Sequence, residues 1–233
     1  MRNPFFRFKQ FVVWHDRCAM KVGTDGVLLG AWTEVGHARK VLDIGTGSGL
    51  IALMIAQRSN AEIVGIDIDA VAVGQAAENV KSSPWGNRVK IEQADITDFN
   101  GEKYDVIVSN PPYFQEKVHC PDGQRNVARH TSALTFESLL DAVKKLLTEE
   151  GCFSVILPAE AVGRFITLAA QRHLYLVRRT DVQTKPALPP KRALLAFGRT
   201  IAPCQTNTLV IEAEPRVYSP EFIHLVKDFY LAL

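Results

Sequence analysis

Cysteine is scarce in this 233-residue chain, and the four present, Cys18, Cys120, Cys152 and Cys204, lie far apart. None forms a CxxC pair, so neither a zinc site nor a dithiol redox motif is expected, and reduced thiols in the cytoplasm fit the usage. Long apolar runs are missing too. No stretch approaches the roughly 18–20 apolar residues that a membrane helix needs, so no membrane partner is expected. The opening Met1-Arg2-Asn3-Pro4-Phe5-Phe6-Arg7 has no apolar core ahead of a cleavage site, which argues against a secretory signal. The chain also lacks internal repeats, low-complexity tracts, a metal-ligand cluster and a nucleophile paired with a base.

The composition, 47% hydrophobic and 22% charged, is that of an ordinary globular protein, long enough for one sizeable α/β domain. A net charge of +2 hides an uneven distribution. Residues 1–40 carry seven Lys/Arg against three Asp/Glu, residues 41–150 ten against sixteen, and residues 151–233 ten against six. The middle is acidic and both ends are basic. A solvated surface explains such a bias as readily as a polyanionic partner does.

From residue 41 short β-branched runs alternate with helical stretches. Strands are predicted at Lys40–Ile44, Glu62–Ile66, Val89–Glu92, Tyr104–Ser109 and Cys152–Leu157. Helices are predicted at Leu50–Arg58, Ala70–Lys81, Phe136–Leu147 (stopped by Gly151 at C′) and Ala161–Gln171. Buried strands separated by helices imply a doubly wound, mostly parallel α/β sheet. Leu174–Val182, Arg192–Arg199 and Thr208–Glu214 follow with only loops between them and should add antiparallel strands at the sheet edge. A last helix starts with Ser219 as N-cap and Pro220 at N1. Residues 1–40 form an N-terminal extension expected to pack over the ligand site, and residues 41–233 form the main domain.

The sharpest local signal is Val41-Leu42-Asp43-Ile44-Gly45-Thr46-Gly47-Ser48-Gly49, a strand running into a glycine turn and a helix. Glycine lets the backbone turn tightly and a ligand approach without a Cβ clash. A dinucleotide fingerprint would need a small residue at position 50, where Leu50 stands, and a pyrophosphate disfavours the carboxylate of Asp43. A cationic ligand favours it, and S-adenosylmethionine carries an ammonium and a sulfonium. Asp67 ends the next strand, where a carboxylate can accept from both ribose hydroxyls. Asp69 is better read as a helix cap. Asp95 follows the third strand and can accept from the cofactor's adenine amine. Gly45, Gly47, Gly49, Asp43, Asp67 and Asp95 thus fall on successive strand ends, where open α/β sheets bind ligands.

The fourth strand ends in Ser109-Asn110-Pro111-Pro112-Tyr113. The prolines fix φ and remove two donors. An exocyclic adenine amine is conjugated and a poor nucleophile. Held by the Asn110 side-chain oxygen and the Pro111 carbonyl, its lone pair can turn toward an electrophilic methyl, and the same acceptors stabilise the charge that grows on nitrogen. Tyr113 offers a face on which the base can stack. Asn110, Pro111, Pro112 and Tyr113 are therefore the catalytic candidates, with Asn110 also counted in the cofactor set. No metal is implied.

These motifs resemble those of class I methyltransferases acting on planar nitrogens. Lys21-Val22-Gly23-Thr24-Asp25-Gly26 through Trp32, His15-Asp16-Arg17-Cys18-Ala19-Met20, Ser83-Pro84-Trp85 and Leu188-Pro189-Pro190-Lys191-Arg192 further resemble the bacterial enzymes that N6-methylate the anticodon-loop adenine (position 37) of a valine tRNA. The resemblance covers nearly the whole chain. It implies a seven-stranded sheet with one antiparallel strand near the edge, and it sets Thr24 and Asp25 over the cofactor's amino-acid end.

A tRNA partner asks for cations outside the acidic middle. Arg7, Lys9, Arg17, Lys185, Lys191 and Arg192 are candidates for phosphate contacts, with the proline-stiffened Lys185–Arg192 loop foremost. Arg125, Arg129 and His130 follow the catalytic strand, where a solvated loop is an equal reading. His15 reads as a satisfied structural histidine. The competing functions are methylation of a glutamine amide in a translation release factor, which uses the same Asn-Pro-Pro-Tyr chemistry, and a non-catalytic S-adenosylmethionine- or RNA-binding protein. A DNA adenine methyltransferase is disfavoured for want of a target-recognition domain, and a nicotinamide dehydrogenase by Leu50 and Asp43.

Overall fold

The computed structural model describes residues 3–112 and 134–232. A ribbon of β1 (Phe5–Arg7) and β2 (Val12–Trp14) precedes helix α1 (Thr24–Trp32). Then come β3 (Lys40–Ile44), α2 (Leu50–Arg58), β4 (Glu62–Asp67), α3 (Ala70–Lys81), β5 (Val89–Gln93) and β6 (Tyr104–Ser109). From residue 134 the chain continues as α4 (Phe136–Leu146), β7 (Leu147–Pro158), α5 (Val162–Ala170), β8 (Tyr175–Gln183), β9 (Arg192–Gly198) and β10 (Gln205–Val210). It closes with a small hairpin, β11 (Glu212–Glu214) and β12 (Val217–Tyr218), and α6 (Pro220–Val226).

The central sheet has the order β10-β8-β9-β7-β6-β3-β4-β5. Each strand of β3 to β7 is parallel to its neighbours within that group. Only β9 runs against the rest, antiparallel to both β7 and β8, while β10 is again parallel to β8. The sheet therefore has eight strands, one more than the resemblance implied; its one antiparallel strand near the edge is as the resemblance implied, whereas the strand pattern alone had suggested that the loop-linked C-terminal strands add antiparallel strands. The expected Thr208–Glu214 strand is two pieces, β10 on the sheet and β11 in the hairpin.

Successive residues of a buried strand face opposite sides, and both sides here are covered. Val41, Ile63 and Val106 share a core with Val27 of α1, Leu53 of α2 and Phe222 of α6. Leu42, Ile107 and Phe153 share the other with Leu139 and Val143 of α4 and Phe165 of α5. The ribbon belongs to the first core through Phe8, Phe11 and Val13, so the extension is built into the domain.

Helix ends follow their caps. Asp69 accepts from the Val71 amide (2.8 Å) and Ser219 from the Phe222 amide (3.0 Å). Helix α4 carries a Thr135–Ser138 capping box but stops at Leu147, which is already extended. Gly151 is therefore not its C′ residue. It lies within β7, where the register against β6 slips between Tyr104↔Leu147 and Val106↔Cys152, and a Cβ there would come within 2.7 Å of the Leu147 side chain. The glycine serves a bulge and not a helix stop.

Candidate functional site

Strand order reverses at β3, which has β4 on one side and β6 on the other. Register pairs Ile44 with both Ile66 and Ser109, and Asp67 with Gln93. The strand ends that carry Gly45, Asp67, Asp95 and Asn110 thus lie side by side on one sheet edge, at the switch point where such sheets bind ligands.

The turn itself is built from three residues with positive φ, Gly45 (71°), Gly47 (54°) and Gly49 (79°). A side chain is strained in that region. A Cβ on Gly45 or Gly47 would meet nothing within 4 Å, so both face open space. The turn is folded over the end of β4: the Gly45 and Thr46 amides both donate to the Ile66 carbonyl at 2.9 Å, and the Gly47 amide donates to Asp67 Oδ2 at 2.9 Å.

Asp43 takes a different place from the one the sequence suggested. It is completely buried, with Oδ2 accepting from the Thr46 hydroxyl (2.7 Å) and the Ala52 amide (3.2 Å). Burial raises its pKa to about 7, against the pull of those two hydrogen bonds, and the charge of Asp67 adds to the rise. Asp43 braces the turn from beneath, so it offers no direct surface to a cationic ligand. Its Oδ1 is buried with no hydrogen-bond partner among the described residues, an orphan that a cationic group above the turn would favour electrostatically.

Asp67 is half-buried and accepts from Gly47 on one oxygen and Asp69 (3.0 Å) on the other. Each carboxylate oxygen keeps a further lone pair. Asp95 Oδ1 takes the Thr97 amide (2.9 Å) and hydroxyl (2.8 Å), a local turn that leaves Oδ2 out of those contacts. The open turn, the Asp67 carboxylate and the orphan oxygen together fit a nucleoside bearing a cationic tail.

Strand β6, which leads into Asn110, is tied to this turn by a residue the sequence reading passed over. Ser109 is fully buried and its hydroxyl donates to the Ile44 carbonyl at 2.9 Å. Asn110 follows half-buried, Pro111 is buried and Pro112 exposed. Tyr113, Arg125, Arg129 and His130 lie outside the described residues.

Two further residues were missed. Gln75 and Asn79 are buried amides four apart on α3, on the face that also carries Ala72 and Ala76. Asn79 donates to the Ser48 carbonyl (2.9 Å) and the Trp14 carbonyl (2.8 Å) and accepts from the Trp14 amide (2.9 Å). Gln75 accepts from the Arg17 amide at 3.0 Å. They lash residues 14–17 to the glycine turn, and polar residues on an apolar helix face were the legible sign. Further along this segment Cys18 is buried, its thiol raised to about 11 by burial and then by the charges of Asp67 and Asp69. His15 accepts from the Val22 amide on Nδ1 (3.2 Å), leaving Nε2 to donate to the Asn3 carbonyl (3.1 Å), as a structural histidine would.

Of the basic candidates, the 184–191 loop follows β8 and precedes β9, and Arg192 pairs in register with Pro158 at the end of β7. That puts Lys185, Lys191 and Arg192 on the same sheet edge as the glycine turn. Lys185 has Glu212 at 3.8 Å, Lys191 is exposed, and Arg192 Nε donates to Asp25 Oδ2 at 2.9 Å. Thr24 is exposed in the same helical turn. Of the N-terminal candidates, Arg7 is exposed on β1. Arg17 pairs with Glu78, and the Lys9 ammonium donates to the Lys227 carbonyl (2.5 Å). Gln57, at the far end of α2, donates to the neighbouring Asp228 carbonyl (2.8 Å), so Lys9 lies at the opposite edge from the site.

Among the described residues no group of three His, Cys, Asp or Glu could hold a metal ion, and no helix is long and apolar enough to cross a membrane.

Comparison with known proteins shows the family. The sequence pattern of the methyltransferase small domain family matches residues 20–160. The tRNA1(Val) (adenine(37)-N6)-methyltransferase of Phocaeicola vulgatus is 55% identical over 232 residues, 99% of both chains. The protein of the same name from Bacteroides thetaiotaomicron is 50% identical over the full length of both, and that from Yersinia pestis strain Pestoides F is 49% identical over 99% of this chain and 95% of its own. Among solved structures, a predicted O-methyltransferase from Agrobacterium tumefaciens superposes with a TM-score of 0.71 at 18% identity, covering 88% of this chain and 96% of its own. A methyltransferase from Pyrococcus furiosus gives 0.57 at 18% identity, covering 79% and 90%. At those identities the two structures speak for the fold alone.

Proposed function

Because the chain belongs to the tRNA1(Val) (adenine(37)-N6)-methyltransferase family, within the methyltransferase small domain group, we propose that it transfers a methyl group from S-adenosylmethionine to N6 of adenine 37 in a valine tRNA, in the cytoplasm. The observation that carries the reading is the placement of Asn110-Pro111-Pro112 directly beside the glycine turn, fixed by the Ser109–Ile44 hydrogen bond.

When bound, the cofactor supplies a methyl group on a sulfonium, open to in-line attack. The rest falls to the chain. Gly45 and Gly47 keep the turn free of side chains, Asp67 offers acceptors suited to ribose hydroxyls, and Asp95 lies on the adenine side. The Asn110 side-chain oxygen and the Pro111 carbonyl accept the two hydrogens of the target amine. That weakens conjugation of its lone pair with the ring and stabilises the charge developing on nitrogen. The excess proton of the methylated nitrogen leaves to solvent after transfer, so no strong base is required and positioning does most of the work. Tyr113 is proposed to stack the base, and Lys185 and Lys191, with Arg125 and Arg129 in the catalytic loop, to hold phosphates.

Purified protein incubated with labelled cofactor and tRNA should yield N6-methyladenosine on nucleoside mass spectrometry. Asn110→Ala should bind S-adenosylhomocysteine nearly as wild type does and lose turnover by about two to three orders of magnitude, the typical loss when one transition-state acceptor is removed. Comparable turnover in the two proteins would end this mechanism. Methyl transfer to a glutamine amide in place of tRNA would redirect the substrate.

A further inference from the structure

We propose that Arg192 is a positioning residue, which clasps the first turn of α1 over the site through Asp25 and so couples cofactor binding to tRNA binding. The inference rests on the methyltransferase reading above.

The contact joins residues 167 apart in sequence, Arg192 Nε to Asp25 Oδ2 at 2.9 Å, with both side chains about two-thirds buried. Each partner is anchored. The next residue after Asp25, Gly26, lies so close to Leu50 that a Cβ would sit 3.0 Å from its side chain, and Leu50 directly follows the glycine turn. Arg192 Nη1 also donates to the Lys191 carbonyl at 2.9 Å, and the Lys191 amide donates to Val182 at 2.9 Å, so the pair is fastened to the 184–191 loop. One ion pair therefore links the segment beside the glycine turn to the basic loop on the same edge.

Charge supplies a second reason. An uncompensated Asp25 carboxylate at this edge would repel RNA phosphates, and Arg192 neutralises it. Nε of the guanidinium is engaged by Asp25, which gives Arg192 an internal role in place of a phosphate contact. A partly desolvated, geometrically fixed pair is also one whose loss is felt on both sides.

The test is a cycle of Asp25→Ala, Arg192→Ala, the double variant and the exchange Asp25→Arg with Arg192→Asp. S-adenosylhomocysteine binding is measured by calorimetry and tRNA binding across a salt series, with thermal melting to establish folding. Each single variant should weaken S-adenosylhomocysteine binding about fivefold, within the usual range of coupling between sites. The double should fall no further than Asp25→Ala, the exchange should restore most of the loss, and cofactor should no longer tighten tRNA binding in either single variant. Additive losses, or unchanged cofactor affinity in both single variants, would overturn the clasp. So would a salt slope lowered by roughly 0.7–0.9 in Arg192→Ala but not in Asp25→Ala, the mark of a lost phosphate contact. Failure of the enzymatic reading is distinguishable, because S-adenosylhomocysteine binding is read without turnover.

Discussion

In the proposed site, Asp67 is suited to its role because it is already held. Backbone amides of Gly47 and Asp69 hold its two oxygens in place, so the remaining lone pairs are presented without rotational freedom. Asp67→Ala should weaken S-adenosylhomocysteine binding roughly ten- to a hundredfold, from about 1.5–3 kcal/mol for a lost charged acceptor. An unchanged calorimetric Kd in the folded variant would remove it from the site. Asp43 acts by the opposite logic. Its folded pKa, about 7, is above its ordinary value of 3.8. Between those values the folded chain keeps a proton that the unfolded chain has released. This group's contribution to stability is therefore largest near the lower value, declines as pH rises, and levels off above 7. Asp43→Asn keeps an acceptor oxygen and removes the titration. Relative to wild type it should gain stability between pH 5 and pH 8, as read from urea midpoints at the two values. A constant difference would show that Asp43 ionises as an ordinary carboxylate.

At the scale of elements, α1 and α2 approach closely where small residues allow it. A Cβ on Gly30 would fall 2.8 Å from Met54 Sδ and 3.0 Å from Met54 Cβ, and the latter cannot swing away. Gly30→Val should therefore cost about 1–3 kcal/mol, the usual penalty of overpacking. Because α1 carries Asp25 to the site, cofactor affinity should fall as well. A urea midpoint equal to that of wild type would mean that the helices separate freely. The ribbon shows the same dependence on contacts distant in sequence. Phe8 stacks on Phe11 and Tyr230, and Phe11 meets Trp85 edge-on, so the extension is held by the turn after α3 and the C-terminal segment together.

For the molecule as a whole, Lys9 and the Lys185–Arg192 loop fall at different edges. The Lys185–Arg192 loop lies on the edge onto which β6 and Asn110 open, whereas Lys9 is bound at the opposite edge. Polyanion binding should therefore depend on the C-terminal loop and not on Lys9. Replacing Lys191 by Ala should weaken tRNA binding, leave S-adenosylhomocysteine binding intact and flatten the log–log salt dependence by about 0.7–0.9. Lys9→Ala should leave the slope alone. Equal slopes for wild type and Lys191→Ala would place the RNA surface elsewhere.

What the sequence determined by itself was local. The strand–glycine turn–helix at 41–58 and the caps at Asp69 and Ser219 each depend on residues within a few positions of one another, and short-range backbone preferences suffice for them. The doubly wound sheet followed from the alternation of buried runs and helices. Tertiary structure decided the rest. The direction of β8 and β10 depends on which neighbour each strand finds, since hydrophobic pattern specifies a buried face and not a polarity. Gly151 became part of a bulge because β6 opposes it, and Asp43 became a buried brace because α2 closes over the turn. Arg192 was drawn to Asp25 by a contact across 167 residues, and no spacing along a chain announces a partner that only folding brings within reach.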